Sequence, residues 1–406
     1  MSLETVQTEP RGFRAPGTAF MVAGAVLGAI LAYAFQRAGG MAIGPEAFAP
    51  ISVLWTLLFI LATVLLVPVE QYVTREVASG RRALPHDLKP MWAMAAIAAA
   101  LGGGFVAITL EDLFEGDWQY VAQIVLLMVG YALLFFGKGV LAGTRHFAKV
   151  GWVLIVENGA RLGIGLIVIR LFADAPSLGW AMVAGGFAAL ALRWWRLDRG
   201  DLERPAAPAR RFLAGYVGGT ATSQILLAGA PLAVAALGGS PALISIVFIT
   251  FTLFRAPMTF IFAVQGRILP YLVRLHHDGD DRRLGKIALG VVGAGAVLAL
   301  VGSLVGWLVG SDVVALLFGS EFAPSRLVAG LAAGGVVAAS AAQIASQTLV
   351  AEGRTPRLTV AWSGGLFVGL FVLLLVTGAP DLRVASAFAS GEVAALVLMG
   401  LLAINR

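Results

Sequence analysis

The chain has 406 residues, 59% hydrophobic and only 13% charged, with a mean hydropathy of +0.88. A soluble domain carries roughly 25% charged residues, so this chain cannot cover itself with polar surface and must use lipid as part of its solvent. The net charge of +6 is read as the orientation signal of a membrane protein rather than a footprint for nucleic acid. The absence of cysteine excludes disulfides and thiolate metal sites.

The N-terminal stretch MSLETVQTEPRGFRAPG is polar and leads into a full-length apolar run. It lacks the short apolar core and small-residue cleavage site of a signal peptide, so the first span is expected to be retained. A spanning helix takes roughly 20 apolar residues. Reading apolar runs against polar punctuation predicts spans at 19–35, 51–69, 91–110, 118–141, 150–171 and 178–192. Six more follow at 214–237, 243–264, 288–310, 327–350, 358–376 and 384–404. The runs are too long for barrel strands and show no two-residue alternation, so they are helices. Between the sixth and seventh spans lies RWWRLDRGDLERPAAPARRF, with six arginines and two Pro-Ala pairs, which reads as a solvated, semi-rigid linker.

The predicted architecture is therefore an all-α integral membrane protein of about twelve transmembrane helices. Residues 1–192 form a first six-helix bundle, 193–212 a basic linker and 213–406 a second bundle. Basic residues recur in alternate loops: Arg11 and Arg14; Arg75, Arg81, Arg82 and Lys89; Arg145 and Lys149; the linker; Arg267 to Lys286; Arg354 and Arg357. The other loops hold Arg37, Arg170, Arg326 and Arg383, and one of them, EDLFEGDW, is purely acidic. Both termini and the linker are thus expected on the cytoplasmic side of the inner membrane. Trp92, Trp152, Trp194, Trp195 and Trp362 fall at inner span ends, and Trp118, Trp180 and Trp307 at outer ends.

The two halves echo one another. Tyr72-Val73-Thr74-Arg75 with the following Ser79-Gly80-Arg81-Arg82 has a counterpart in Tyr271-Leu272-Val273-Arg274 with Asp278-Gly279 and Arg282-Arg283. LFEGDW at 113–118 matches LFGSEF at 317–322, and LAGTRHFAKVGW parallels LVAEGRTPRLTVAW. Three matches in one order point to a six-plus-six duplication, parallel because the span number per half is even.

No phosphate loop, HExxH or Gly-x-Ser-x-Gly motif occurs, and His86, His146, His276 and His277 all fall in loops, so no enzyme activity and no cofactor are expected. Ionisable groups inside spans carry the sharper signal, since they face a cavity or a partner. Arg255 lies near mid-depth, two residues before Pro257, where a proline bends the helix. It reads as a cationic substrate-binding group in a central cavity, or as a structural arginine paired to a carboxylate or helix end. Glu157 and Arg161 share a helix face four residues apart. They read either as a self-neutralising pair or as a site where Arg161 binds an anion and Glu157 couples a proton. Lys138 either joins such a site or snorkels to the nearby membrane surface. Glu70 reads as interfacial, Glu392 has no assignable partner, and Gln343, Ser346 and Gln347 form a polar face. Gly302, Gly306 and Gly310 repeat at the four-residue spacing of close-packed membrane helices. Gly24, Gly28 and Pro231 loosen the first helix of each half.

The segments VPVEQYVTREVASGRR, FFGKGVLAGTRHFAKVGWVLIVENGARLGIGL, RAPMTFIFAVQGRILPYLVRL and ALLFGSEFAPSRLVAGLAAGG carry a resemblance along nearly the whole chain. The chain resembles the polysaccharide-exporter branch of the multidrug/oligosaccharidyl-lipid/polysaccharide exporter superfamily, the Wzx-like flippases. The resemblance implies a V-shaped, alternating-access pair of bundles that flips an isoprenoid pyrophosphate-linked oligosaccharide for cell-envelope polysaccharide synthesis. It further implies a monomer in contact with membrane lipid, coupled to H⁺ or Na⁺, and cavity cations matching Arg255, Arg161 and Lys138. The competing readings are a cation-coupled multidrug exporter of the same superfamily, a major-facilitator carrier and a non-transporting envelope-assembly scaffold. The multidrug exporter would want acidic cavity residues, and REVASGRRALPHD lacks the carrier's Gly-x-x-x-Asp-Arg-type loop.

Overall fold

A computed structural model describes residues 16–78, 88–192 and 209–404. Arg11, Arg14, Arg81, Arg82, His86, Trp194, Trp195 and the linker from 193 to 208 lie outside the described residues. The first half consists of α1 (Pro16–Ala47), α2 (Ala49–Ala78), α3 (Leu88–Ile108), α4 (Gln119–Gly143), α5 (Phe147–Leu171) and α6 (Ala175–Ala188). The second begins with α7 (Ala209–Ala228, resuming after Gly229 as Ala230–Ala236) and α8 (Pro241–Phe254, resuming as Met258–His277). It continues with α9, which runs from Asp281–Val305 through a π-helical turn to Ser311–Phe318. It closes with α10 (Arg326–Ala351), α11 (Thr355–Leu375) and α12 (Pro380–Ile404).

Among the described residues nine helices are long and apolar enough to cross a membrane. The remaining three passes are α6, α7 and α8, which are short or broken. Helix starts follow local chemistry. Asp174, Ser240 and Ser325 each accept a backbone N–H from three residues on, at the starts of α6, α8 and α10, satisfying a donor that the helix itself cannot.

The pairing of helices repeats. In the first half α1 packs on α5, α2, α3 and α6 on α4, and α5 on α6; in the second α7 packs on α11, α8, α9 and α12 on α10, and α11 on α12. Several of these contacts depend on small residues. A Cβ at Gly24 would lie 2.6 Å from the Gly151 Cα, so α1 and α5 touch backbone to backbone. Gly302, Gly306 and Gly310 all face α10, with a Cβ at Gly306 falling 2.7 Å from the Ala329 carbonyl. The expected close-packing face is therefore an α9–α10 seam.

Several boundaries differ from the sequence reading: α2 runs to Ala78 rather than 69 and α8 to His277 rather than 264, and three more have a local reason. α1 continues past residue 35 to Ala47, because Arg37 does not end the helix: its Nε donates to the Leu317 carbonyl near the C-terminus of α9. The helix kinks only at Gly44, whose φ of 78° and neighbouring Pro45 interrupt the regular turn. α7 starts at Ala209, so the last four residues of the predicted linker are helical. α9 spans residues 281–318 rather than 288–310. Trp362 is buried in the core of the second half, while Trp92, Trp118, Trp152, Trp180 and Trp307 are exposed.

The halves meet through α1 and α2 on one side and α7 and α8 on the other. Tyr33 Oη donates to the Thr252 carbonyl (2.7 Å), Ser52 Oγ to Ser245 Oγ (3.4 Å), and the Phe48 and Phe322 rings pack edge to face. These contacts lie in the halves of α1, α2 and α8 nearer the acidic loop that carries Glu111, Asp112, Glu115 and Asp117. The opposite end of the bundle carries Arg145, Lys149, Arg274, Lys286, Arg354 and Arg357.

Candidate functional site

Behind this seal, towards the basic end, α1, α2, α7 and α8 enclose a cavity of about 610 Å³. Its wall is mostly apolar and aromatic, including Ile30, Tyr33, Trp55, Phe59 and Phe248, with Gln36, Thr56, Thr63, Gln224 and Thr252 as polar groups. Among the described residues the one charged group that lines it is Arg255.

The position of Arg255 follows from two prolines. Pro257 has no N–H, and α8 breaks over residues 255–257. Pro231, in α7, likewise cannot donate to the carbonyl four residues earlier, Leu227. Arg255 Nη1 takes that freed acceptor at 3.2 Å, while Nε donates to the Phe251 carbonyl at 3.1 Å and Nη2 to Thr252 Oγ1 at 3.2 Å. Its guanidinium also lies over the Phe59 ring, 5.4 Å from the centroid. Every acceptor is neutral. Arg255 is thus held at a helix break without a carboxylate in contact, so its charge is available to the cavity.

Gln36 and Gln224 add to the wall. They are 2% and 7% exposed, and the carbonyl oxygen of each has no hydrogen-bond partner. Their amides stand in apolar runs of α1 and α7 where the sequence reading passed over them. Each polar residue inside a span was visible, but which face it turned to was not.

Arg161 sits elsewhere. It is 1% exposed and is not among the residues that line the cavity. Nη2 donates to Glu157 Oε1 (2.9 Å) and to the Tyr131 hydroxyl, Nη1 donates to Asn158 Oδ1 (2.8 Å), and the Tyr131 hydroxyl donates to Glu157 Oε1. The guanidinium also packs on the Trp55 ring, 4.7 Å from its centroid. Trp55 also lines the cavity and so stands between it and this network. A Cβ built on Gly185 of α6 would come within 2.8 Å of Arg161 Cβ, which shows how closely the network is covered. The geometry brings Glu157 and Arg161 together, as their spacing predicts, but does not bring Arg161 to Arg255.

Lys138 pairs with Glu70 at 3.0 Å and lies over the Phe135 ring; neither residue lines the cavity. Ser346 Oγ donates to the Gln343 carbonyl and Gln347 Nε2 to Ser346 Oγ, both within α10. Glu392, in α12, is fully buried, and both carboxylate oxygens lack a hydrogen-bond partner. No group of three or more acidic or histidine side chains that could hold a metal occurs among the described residues.

No protein-family model matches the chain. Uncharacterized protein Rv3630 of Mycobacterium tuberculosis is 24% identical over 395 residues, covering 90% of this chain and 87% of the relative. A Mycobacterium bovis counterpart, Uncharacterized protein Mb3654, is 24% identical over 391 residues, 89% of this chain and 86% of its own. Among solved structures, an inward-facing multidrug resistance MATE family transporter of the MOP superfamily superposes with a TM-score of 0.71 at 13% identity, over 93% of this chain and 94% of that one. This chain has the MATE fold. The outward-facing conformation of such a transporter gives a TM-score of 0.62 at 13% identity over 96% of this chain and 97% of the other. A MOP superfamily transporter from Pyrococcus furiosus, described as having a binding pocket of reverse polarity, gives 0.64 at 13% identity over 96% and 94%. Twelve helices in the MATE arrangement agree with the fold class that the spans predict.

Proposed function

We propose that the chain is an alternating-access membrane transporter whose cargo is a lipid-linked anion, an isoprenoid pyrophosphate-linked oligosaccharide flipped across the inner membrane for cell-envelope polysaccharide synthesis. The observation that carries this reading is Arg255, a cation bonded only to neutral acceptors on the wall of a largely apolar cavity. A guanidinium matches phosphate oxygens bidentately, and the pairing strengthens in a low-dielectric cleft. The cavity volume falls within the roughly 300–1,000 Å³ of small-molecule sites, room for a head group while the isoprenoid tail stays in lipid.

The two halves, 16–192 and 209–404, act as bundles that rock about the α1–α2 and α7–α8 seam, with the termini and the basic end cytoplasmic and the chain working as a monomer. The closer match to the inward-facing transporter supports a cavity that opens at the basic end. Arg255 holds the pyrophosphate, with the Gln36 and Gln224 amide N–H groups as further donors to its oxygens. Arg161, Glu157 and Tyr131 form a structural network that stiffens the first bundle, and the Lys138–Glu70 pair anchors its cytoplasmic end. A multidrug exporter of cations would place a carboxylate on the cavity wall, and the described lining has none. The reversed pocket polarity described for the Pyrococcus furiosus protein, said to suggest a different function, is a precedent for a pocket of other polarity in this fold.

The test is cargo choice in proteoliposomes. Flipping of a fluorescent isoprenoid pyrophosphate disaccharide together with no efflux of a cationic dye such as ethidium supports the proposal. Efflux of ethidium without flipping of the anionic lipid overturns it.

A further inference from the structure

Glu392 is the buried acid that this reading leaves unused. It sits near the middle of α12, 0% exposed, with both oxygens unpartnered, and it makes no ion pair among the described residues. Burying a carboxylate that has neither counter-charge nor hydrogen bond is costly, so a proton or a cation has to accompany it.

Its neighbour is set by helix register. The Phe251 ring of α8 and the Phe388 ring of α12 pack at 4.9 Å between centroids. Both helices run in the same direction, and one turn further along each stand Arg255 and Glu392. The two groups interact electrostatically without touching. Arg255 is the charged group whose field reaches Glu392, and Tyr33 faces Arg255 from α1. The other helices packed against α12 bring uncharged residues to this level, namely Leu226 of α7 and Gly365 of α11 beside Gly391, and Gly335 of α10 beside Phe388. On α9 the contacts with α12 include Gly295 against Leu396 and Val292 against Gly400; the charges of α9 and α10 lie at their ends, as does Arg357 of α11. A guanidinium in range and, among the described residues, no second acid acting on Glu392 make the spot hostile to a metal cation. A proton suits it.

We infer that Glu392 is a proton site that competes with the anionic cargo for Arg255, an inference that rests on the reading of Arg255 as the anion site. When Glu392 holds a proton, Arg255 stays on its neutral acceptors and is open to the cavity. When the proton leaves, the carboxylate draws the guanidinium towards itself and away from the cargo. Proton and anion therefore favour each other's binding, and by linkage each strengthens the other by the same factor. Cargo is released as the proton departs.

The experiment uses the full chain in lipid nanodiscs, with farnesyl pyrophosphate as probe, titrated calorimetrically in two buffers of different ionisation enthalpy. At a pH where unliganded Glu392 is ionised, the wild type takes up close to one more proton on binding than Glu392→Gln does. Its affinity also rises more steeply as pH falls, by an extra factor of up to about tenfold per pH unit. Glu392→Gln binds at least as tightly as the wild type, and Glu392→Asp keeps the linkage. Equal proton uptake in wild type and Glu392→Gln overturns the inference, as does an affinity that follows sodium instead of pH.

If farnesyl pyrophosphate binds neither the wild type nor Arg255→Ala, the anion-site reading fails. The proton site is then decided by infrared titration of the unliganded chain. A carboxylic-acid band that is absent from Glu392→Gln, with a midpoint that moves in Arg255→Ala, sustains Glu392 as a proton site coupled to Arg255. Spectra identical in the wild type and Glu392→Gln remove it.

Discussion

Replacing Glu157 by glutamine separates two roles for the α4–α5 network. In the folded chain Glu157 Oε1 receives Arg161 Nη2 at 2.9 Å and the Tyr131 hydroxyl. Glutamine keeps the shape but removes the counter-charge, so Arg161 is left with Asn158 Oδ1, the Tyr131 hydroxyl and the Trp55 face. Breaking a buried pair on one side costs about 3–5 kcal/mol. Tyr131→Phe, which removes hydrogen bonds to charged groups, costs about 1.5–3 kcal/mol. The double change Glu157→Leu with Arg161→Met removes both charges together and is expected to come out within about 1–2 kcal/mol of the wild type, since apolar replacements of buried pairs are often neutral or better. Thermal unfolding in detergent, followed by circular dichroism, measures these differences, and flipping per folded molecule is measured beside it. A Glu157→Gln protein that melts with the wild type but no longer flips cargo would refute the structural assignment and return Glu157 to ion coupling.

Three further outcomes follow from specific contacts. Pro231→Ala restores an N–H that can reclaim the Leu227 carbonyl from Arg255. One hydrogen bond is worth about 0.5–1.5 kcal/mol, so pyrophosphate affinity should change roughly two- to tenfold, and an unchanged affinity would show that the α7 break does not position Arg255. Gly24→Val drives a side chain into the Gly151 backbone and should destabilise the chain by about 1–3 kcal/mol, read as a lower melting temperature; an unchanged melting point would mean that α1 and α5 are not in backbone contact. Lys138→Met removes a partly exposed pair with Glu70, a loss of about 0–1 kcal/mol, and leaves flipping intact, whereas lost flipping would put Lys138 in the cargo path.

The fold was legible because lipid imposes its own grammar. Long apolar runs can be nothing but helices, and basic loops mark one end of them. The α8 break was legible too, since Pro257 beside Arg255 can neither continue the ladder nor hide its charge. The end of α1 was not, because Arg37 reads as a loop residue until the Leu317 carbonyl, from a helix 280 residues away in sequence, takes its Nε. The site divides in the same way. The spacing of Glu157 and Arg161 showed that they could meet. It could not show that Tyr131 and Asn158 join the pair while Arg161 Nε stays without a partner, nor that Trp55 packs over the guanidinium, since two of those contacts come from other helices. Gln36 and Gln224 were ordinary letters in apolar runs until four helices placed them around one space.

The most direct test of the central claim is the affinity of the full chain for an isoprenoid pyrophosphate in nanodiscs, compared between wild type, Arg255→Lys and Arg255→Ala. Truncating one partner of a buried charge pair costs about 2–5 kcal/mol, so Arg255→Ala should weaken binding at least about thirtyfold, with Arg255→Lys in between because it keeps the charge but loses the planar fork. Equal affinity in all three proteins contradicts the account.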